Sequence, residues 1–195
     1  MTRSYFNRQA DLWDERIAEK DNDRLESLAK RLDIRRDATV LDVGTGTGVL
    51  VPFLIEKVGP KGKLVCLDSA EKMLAKARAK GFTGNIEYIC ADISRTRFGD
   101  EVFDAVVCYS SFPHFQDKAG ALKEISRVLK KGGRLFICHT SSRASINQIH
   151  QWVPELSHDL IPDDREMQQL LLLAGFGQIR LFDEVSSYLA KAAKL

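Results

Sequence analysis

The chain has 195 residues, of which 44% are hydrophobic and 29% charged, and its 29 basic and 27 acidic residues leave a formal net charge of +2. This length suits one domain with a sizeable core, and the charge gives no electrostatic reason to expect binding to nucleic acid or to a membrane. Because no apolar run approaches the ~20 residues that span a bilayer, and residues 1–20 contain no apolar signal segment, we expect a cytoplasmic protein.

Short apolar runs alternate with helical patterns along most of the chain. Five runs have the length of buried strands: residues 39–43, 63–67, 86–90, 104–108 and 134–138. Helical patterns lie between them, over residues 49–58, 70–80 and 118–130, with Asp117 as a predicted cap of the third and Gly132-Gly133 as its predicted end. This alternation indicates a parallel sheet that is covered by helices on both faces.

The two ends of the chain depart from this alternation. Residues 5–32 show a helical pattern, and residues 139–162 form an unusually long connection in which we expect a short helix near 142–152. A further helix is predicted to begin after Asp163, with Glu166 three residues on as a capping box.

Residues after Gly175 predict two strands joined by a turn, near 179–182 and 187–192. A parallel return needs a crossover of ~10 or more residues, so we expect the last strand to run antiparallel to its neighbour.

A glycine-rich stretch, VLDVGTGTGVL, joins the first strand to the first helix at residues 40–50. Glycine lets the backbone approach a ligand closely, and the N-terminus of the following helix offers free N–H groups. The spacing is G-x-G-x-G, with Val49 where a dinucleotide fingerprint has its third glycine, and no Gly-Lys-Ser/Thr follows. The loop therefore predicts a polar or anionic ligand that is neither of these two kinds.

Acidic residues follow the second and third strands. Asp68 is placed to accept two hydrogen bonds from a ribose diol, and Met73 on the next helix is placed to lie against a purine. Asp92 is placed to accept from an adenine amino group. The carboxyl ends of three adjacent strands thus form the crevice in which this architecture binds ligands.

At this point the chain resembles the class I S-adenosylmethionine-dependent methyltransferases of the small-molecule type. The resemblance covers about residues 36–140, and departures from the usual pattern fall at Arg97 and Lys131. It lies in these segments: VLDVGTGTG, VCLDSAEKML, CADIS, FGDEVFDAVVCYSSFPHF and ALKEISRVLKKGGRLFI.

The resemblance implies a three-layer Rossmann-like α/β fold with a seven-stranded, mostly parallel sheet and an antiparallel last strand. We expect residues 1–195 to form a single methyltransferase domain. Its expected parts are an N-terminal helical lid (1–35), a cofactor-binding core (36–140), an insertion that caps the substrate (141–162), and the last helix with the terminal hairpin (163–195).

The resemblance also implies S-adenosylmethionine as cofactor and S-adenosylhomocysteine as product. Asp42 would hold the glycine loop and, through water or directly, the ammonium group of the cofactor. Asp68 would bind the ribose hydroxyls. Asp92 would read adenine together with the neighbouring backbone. The predicted cofactor-binding residues are Asp42, Gly44, Thr45, Gly46, Thr47, Gly48, Asp68, Ser69, Met73, Ala91, Asp92, Ile93, Cys108 and Tyr109.

Two histidines follow strands at the edge that would face the methyl group. His114 comes after the fourth strand and His139 after the fifth, and both are candidate general bases for an acceptor that must lose a proton. The alternative is that they are hydrogen-bonded loop residues. We expect no metal, because neither the histidines nor the four cysteines have a metal-ligand spacing.

A lid is predicted from the segments around residues 5–17 and 140–159, which would close together over the methyl group. The alternative is that they form solvated surface helices. The candidate substrate contacts are Tyr5, Trp13, Arg143, Asn147 and His150.

Three functional hypotheses remain open on the sequence. The favoured one is methyl transfer to a small-molecule acceptor, with no nucleic acid or membrane as partner. The second is methylation of nucleic acid or protein, although the fourth strand lacks the N/D-P-P-Y type of motif. The third is a non-catalytic S-adenosylmethionine-binding relative.

Overall fold

The structure is a computed structural model that describes residues 2–16 and 22–195. Its centre is a seven-stranded sheet with the order β3-β2-β1-β4-β5-β7-β6. The strands are β1 (Thr39–Val43), β2 (Lys63–Asp68), β3 (Ile86–Cys90), β4 (Phe103–Tyr109), β5 (Leu129–His139), β6 (Phe176–Glu184) and β7 (Ser187–Lys194).

The first five strands are parallel and the last two form an antiparallel hairpin. β7 lies between β5 and β6, and it pairs antiparallel with both of them. The predicted fold class is thereby confirmed, including the antiparallel last strand.

The described residues contain eight α-helices. They are α1 (Thr2–Gln9), α2 (Trp13–Arg16), α3 (Asn22–Lys30), α4 (Val51–Val58), α5 (Glu71–Ala79), α6 (Lys118–Val128), α7 (Arg143–Gln151) and α8 (Asp164–Leu173).

Alternate residues of each strand point to opposite faces, so the sheet has a core on either side. On one face, Leu41 and Val106 pack in the same apolar cluster as Leu122 of α6 and Met167 of α8. On the other face, the strands pack against α3, α4 and α5. Both faces are covered, which keeps the strand backbones away from water and leaves the carboxyl ends of β1 to β4 as the accessible edge.

Two helix predictions need correction. The predicted helix over residues 5–32 is interrupted by a turn at residues 10–12, and its residues 17–21 lie outside the described residues. Helix α6 begins at its predicted cap, where Asp117 accepts from the N–H of Gly120. It ends at Val128 and not at the glycine pair, because Leu129 is already extended and pairs with Phe103 of β4.

The long connection contains the expected short helix, α7, which Ser142 caps by accepting from the N–H of Ser145. Asp163 caps α8 in the same way, through the N–H of Glu166. Within the described residues, no helix has the length and apolar character needed to cross a membrane.

Candidate cofactor and acceptor site

The glycine loop lies directly against the end of β4. Gly44 has a φ of +73°, and a Cβ at this position would come within 2.3 Å of the Ser111 Cβ. The hydroxyl of Ser111 donates to the carbonyl of Val43 at 2.6 Å, and the N–H of Gly44 donates to the carbonyl of Leu67 at 2.7 Å. Only glycine therefore permits this close passage of the loop between β2 and β4.

Asp68 joins the loop to the end of β2. Its carboxylate accepts from the N–H of Gly46 and from the N–H of Ala70, both at 2.7 Å. Burial raises the pKa of the Asp68 carboxyl, while these two donors act in the opposite direction. Since an ionised carboxylate offers about four acceptor positions, these backbone donors do not use all of its capacity, and a ligand hydroxyl can still be accepted.

Asp42 lies beneath the loop and is almost fully buried. Its carboxylate accepts from the Thr45 hydroxyl at 2.9 Å, which fits the predicted role in holding the loop. Burial raises the pKa of Asp42 to about 7. Asp42 does not reach the cavity wall, so a direct bond to a ligand's ammonium group is not part of this geometry.

Asp92 follows β3 and caps a short 3₁₀ turn, Ile93–Arg95. One of its oxygens, Oδ1, accepts from both the N–H and the hydroxyl of Ser94 at 2.8 Å. The side chain is exposed to the cavity, where a donor such as an exocyclic amino group can reach it.

A cavity of about 720 Å³ connects these groups at the carboxyl ends of β1 to β4. The predicted cofactor residues in its wall are Gly44, Thr45, Gly46, Thr47, Asp68, Ser69, Met73, Ala91, Asp92, Ile93 and Tyr109. Of the predicted catalytic and substrate residues, His114 and Trp13 also line it.

The N-terminal helices form one side of this cavity. The Thr47 hydroxyl donates to the Asp14 carboxylate, which also pairs with Lys80 at 2.9 Å. Asn7 accepts from the N–H of Lys72 at 3.0 Å and donates to Glu71 at 3.0 Å. Helix α1 is thus bonded to α5, and α2 is bonded to the glycine loop and to Lys80, the residue that follows α5.

His114 ends the short 3₁₀ turn that follows β4. Its Nδ1 lies 2.9 Å from Oδ2 of Asp159, which belongs to the long connection between β5 and α8. The imidazole packs edge-on against Phe6 of α1, with 4.9 Å between ring centroids, and lies 4.8 Å from the ring of His150. Three segments that are distant in sequence therefore meet at this side chain.

His139 lies outside the cavity wall and is 1% exposed. Neither of its ring nitrogens has a hydrogen-bond partner among the described residues, and the hydroxyl of its neighbour Tyr188 has none either. Burial lowers the pKa of His139 to about 3. A buried, neutral histidine outside the cavity wall is a poor candidate base, whereas His114 lies in the wall.

Several other predicted residues also lie away from the wall. Gly48 packs its Cα side against Phe82 and Ala77, and Cys108 is fully buried in the core. Arg143 is held by the Pro162 carbonyl and by Asp164, while Asn147 exchanges two hydrogen bonds with the backbone of Ile161. We therefore assign Arg143 and Asn147 to holding the long connection.

Two predicted substrate contacts lie behind the cavity wall and contact residues that line it. Tyr5 does not line the cavity but packs edge-on against Phe6, with 5.3 Å between ring centroids. His150 is also outside the wall, where it contacts the His114 ring and the Asp159 backbone.

Sequence reasoning missed part of the wall. Ser110 and Ser111 follow Tyr109 directly, so the end of β4 was a usable signal for both. No signal in the sequence marked Asp159 as the partner of His114. The other missed wall residues are Arg3, Phe6, Val43, Val49, Leu67, Cys90, Ser94, Arg95, Phe115, Gln116, Asp117, Gly120 and Ala121. Cys90 is exposed in the cavity wall, because β3 is an edge strand of the sheet.

The wall chemistry fits S-adenosylmethionine. Close backbone at Gly44 and Gly46 suits the amino-acid part of such a ligand, and the carboxylate of Asp68 has acceptor positions free for ribose hydroxyls. Asp92 offers an acceptor for adenine one strand further along the sheet. This sheet order, with a glycine loop after β1 and acids after β2 and β3, defines a Rossmann-like methyltransferase fold.

Comparison with known proteins agrees with this class. Residues 41–137, about half of the chain, match the family model described as a methyltransferase domain. The chain is 32% identical over 148 residues to the ubiquinone/menaquinone biosynthesis C-methyltransferase UbiE of Idiomarina loihiensis, which covers 70% of this chain. The chain belongs to the class I S-adenosylmethionine-dependent methyltransferases.

Solved structures extend the likeness of the fold to nearly the whole chain. One chain matches in a complex between the Haloferax volcanii Trm112 methyltransferase activator and a methyltransferase. The TM-score is 0.81 at 20% identity, and the match covers 96% of the present chain and 96% of the matched chain. An S-adenosylmethionine-dependent methyltransferase from Aquifex aeolicus matches with a TM-score of 0.72 and 25% identity, over 88% of this chain and 89% of that one.

The curated relatives are longer in their own right. The matched region spans 59% of the Idiomarina loihiensis protein and 45% of Escherichia coli proteins of the same description. What those whole proteins act on is therefore a property of chains that extend beyond the match.

Proposed function

We propose that the protein transfers a methyl group from S-adenosylmethionine to a small-molecule acceptor. The observation that carries this proposal is the continuity of one cavity. It joins the glycine loop, Asp68 and Asp92 to the side chains of His114 and Trp13, so a cofactor end and an acceptor end share one space.

The residues divide the work along this cavity. The backbone at Gly44 to Thr47 would hold the methionine part, Asp68 the ribose, and Asp92 with the backbone beside it the adenine. When bound, the sulfonium cofactor supplies an electrophilic methyl group with a good leaving group. The protein's own part is to orient the acceptor and to exclude water, for which α1 and α2 are placed.

A small acceptor is favoured by the aromatic lining of the cavity near His114. Phe6 and Trp13 of the N-terminal helices and Phe115 after β4 line it, and such side chains suit a small apolar or aromatic molecule. The UbiE relatives are named as C-methyltransferases of ubiquinone/menaquinone biosynthesis, which also supports a small-molecule acceptor.

Two measurements test the proposal. Calorimetry with S-adenosylhomocysteine is expected to give a defined affinity, and a panel of small acceptors screened for S-adenosylhomocysteine release is expected to contain substrates. Failure to bind S-adenosylhomocysteine would remove the basis of the proposal. Release only with a protein or nucleic-acid acceptor would replace it with the second hypothesis, and binding without any release would favour a non-catalytic relative.

A further inference from the structure

The hydrogen bond between His114 and Asp159 defines the state of the imidazole. A carboxylate only accepts, so Nδ1 of His114 carries the hydrogen and Nε2 keeps its lone pair. Because Nδ1 is occupied and His114 lines the cavity, Nε2 is the nitrogen available to a molecule bound there.

Asp159 is itself held by two further side chains, one at its carboxylate and one at its backbone. Nε2 of Gln116 donates to Oδ1 of Asp159 at 3.5 Å, and His150 bonds to the Asp159 backbone carbonyl through Nδ1. Burial lowers the pKa of His150, which keeps that ring neutral with its hydrogen on Nδ1. Asp159 is 6% exposed, so water competes little for its oxygens.

The His114 ring is confined by its neighbours as well. Phe6 contacts it edge-on from α1, and His150 lies beside it from α7. Lys118 donates to the carbonyls of Pro113 and Phe115, which fixes the turn on which His114 stands. This is the arrangement of a nucleophile-activating base whose orientation is set by a third group.

We propose that His114 is the catalytic base of the reaction and Asp159 its positioning residue, and that the acceptor carries a proton on the group that is activated for methylation. This inference rests on the proposed function and specifies the acceptor by its chemistry: a weakly acidic hydroxyl, with phenols as the simplest case. A pre-ionised thiolate or a neutral amine with a free lone pair has no need of such a base.

The step balances in charge and in electrons. The acceptor gives its hydroxyl proton to Nε2 of His114 and an electron pair to the methyl carbon, while the electrons of the broken carbon–sulfur bond stay with the departing sulfur. The positive charge of the sulfonium is lost and one is gained by the imidazolium, which lies against the Asp159 carboxylate. Release of the proton to solvent restores the base.

Several titratable groups face His114 and shape the pH dependence of the base. Asp159 and His150 come from the long connection, His139 from the end of β5, and Asp68 from the end of β2. These groups together set the pH dependence of methyl transfer. The pH–rate profile is expected to lose its acidic limb when His114 is replaced.

The first test needs no acceptor. Two-bond ¹H–¹⁵N correlation spectra of the ¹⁵N-histidine-labelled protein with S-adenosylhomocysteine are expected to show His114 with its hydrogen on Nδ1. Asp159→Asn is expected to abolish that preference, and the control His158→Gln, an exposed histidine beside Asp159 in sequence, is expected to preserve it. A wild-type His114 with its hydrogen on Nε2 would overturn the proposal.

The second test compares catechol with 4-nitrocatechol, whose hydroxyl ionises far more readily. His114→Gln is expected to lower kcat with catechol by about 10²- to 10⁴-fold, the range of general-base catalysis. The loss with 4-nitrocatechol should be much smaller, because that acceptor needs no base. Asp159→Asn should lower kcat in the same selective manner, and His158→Gln should leave both rates unchanged.

Binding of S-adenosylhomocysteine separates the two proposals. If the wild-type protein does not bind S-adenosylhomocysteine, the proposed function itself is refuted. If the wild-type protein binds S-adenosylhomocysteine, two results would refute the role of His114 as the base. One is an equal loss of rate with catechol and 4-nitrocatechol in His114→Gln, and the other is turnover confined to amines or thiols. Retained binding in His114→Gln and Asp159→Asn, together with unchanged melting temperatures, shows that the variants are folded.

Discussion

The N–H of Gly46 donates to Oδ2 of Asp68 at 2.7 Å, which ties the glycine loop to the end of the neighbouring strand. One carboxylate thus shapes the loop and, in the proposed function, binds the ribose. The two roles make Asp68 the most informative single position for ligand binding.

Asp68→Ala is expected to weaken S-adenosylhomocysteine binding by roughly 2–4 kcal/mol, because about 1.5–3 kcal/mol is lost for each hydrogen bond to a charged group and the losses are incompletely additive. Calorimetry measures the change. Asp23→Ala, an exposed aspartate on α3, serves as control and should bind like the wild type. Equal affinities in the wild type and Asp68→Ala would contradict the ribose assignment.

Gly44→Ala is expected to destabilise the protein more than Gly132→Ala does. Both glycines have φ near +70°, so both changes incur a backbone penalty of about 1–2 kcal/mol. A Cβ at Gly132 meets nothing within 4 Å, whereas one at Gly44 strikes Ser111.

Thermal unfolding measures this difference, at roughly 2–4 °C for each kcal/mol in a chain of this size. The matched pair removes the shared backbone term, so the excess for Gly44→Ala reports the contact with Ser111 alone. Equal melting temperatures for the two variants would show that the loop can move away from β4 at no cost.

The stability of the protein is expected to depend on pH through Asp42. Its folded pKa of about 7 exceeds the ordinary carboxyl value, so the folded state binds the extra proton. The stabilisation is fully present below the unfolded pKa and is lost as the pH rises through about 7.

Asp42→Asn keeps the shape and the acceptor for Thr45 but cannot ionise. Relative to this variant, the wild type is expected to lose roughly 2 kcal/mol of unfolding free energy between pH 5.5 and pH 8. Urea unfolding at both pH values checks it. The wild type must be compared with Asp42→Asn at each pH, because the lowered pKa of His139 makes the stability of both proteins rise with pH. A wild-type change identical to that of Asp42→Asn would place the titration elsewhere.

The N-terminal helices are expected to gain protection when ligand binds. Hydrogen exchange of residues 2–16 and 140–160 should slow with S-adenosylhomocysteine and slow further with an acceptor. The first segment lines the cavity, and the second contacts His114 in the cavity wall through Asp159 and His150. Residue Ile17, at the edge of the predicted lid, lies outside the described residues.

A matched pair of aspartates tests how the lid is held. Asp14→Ala removes the contacts to Thr47 and Lys80 and should speed exchange of residues 2–16 in the presence of ligand. Asp11→Ala removes only an exposed ion pair to Lys76 and should change little. The same exchange rates in both variants would mean that the lid is not held at Asp14.

The sheet was predictable because its signals are local. Each strand is a short apolar run, and β1 and β3 keep their predicted bounds. The placement of Asp68 and Asp92 in one site was also predictable, since parallel strands place their carboxyl ends at one edge of the sheet. The end of α6 was not, because pairing of Leu129 with β4 overrides the glycine signal three residues later.

The acceptor end of the site was less predictable than the cofactor end. His114 and Asp159 are 45 residues apart and share no element of regular structure, so neither period nor spacing connects them. Arg143 and Asn147 share a helix face with His150, because the three residues are spaced i, i+4 and i+7 along α7. Which surface that face meets is decided by how the connection folds back, and it meets Ile161 and Asp164.

The interior position of β7 has a consequence for the growing polypeptide. β5 is bordered on one side by β4, but its other side pairs only with residues 188–193, which are translated more than 45 residues after it. β6 is made earlier and contributes nothing to that side. On the ribosome, Phe136, Ile137 and Cys138 therefore emerge long before their second partner exists, and the nascent sheet remains open to wrong pairing until β7 inserts.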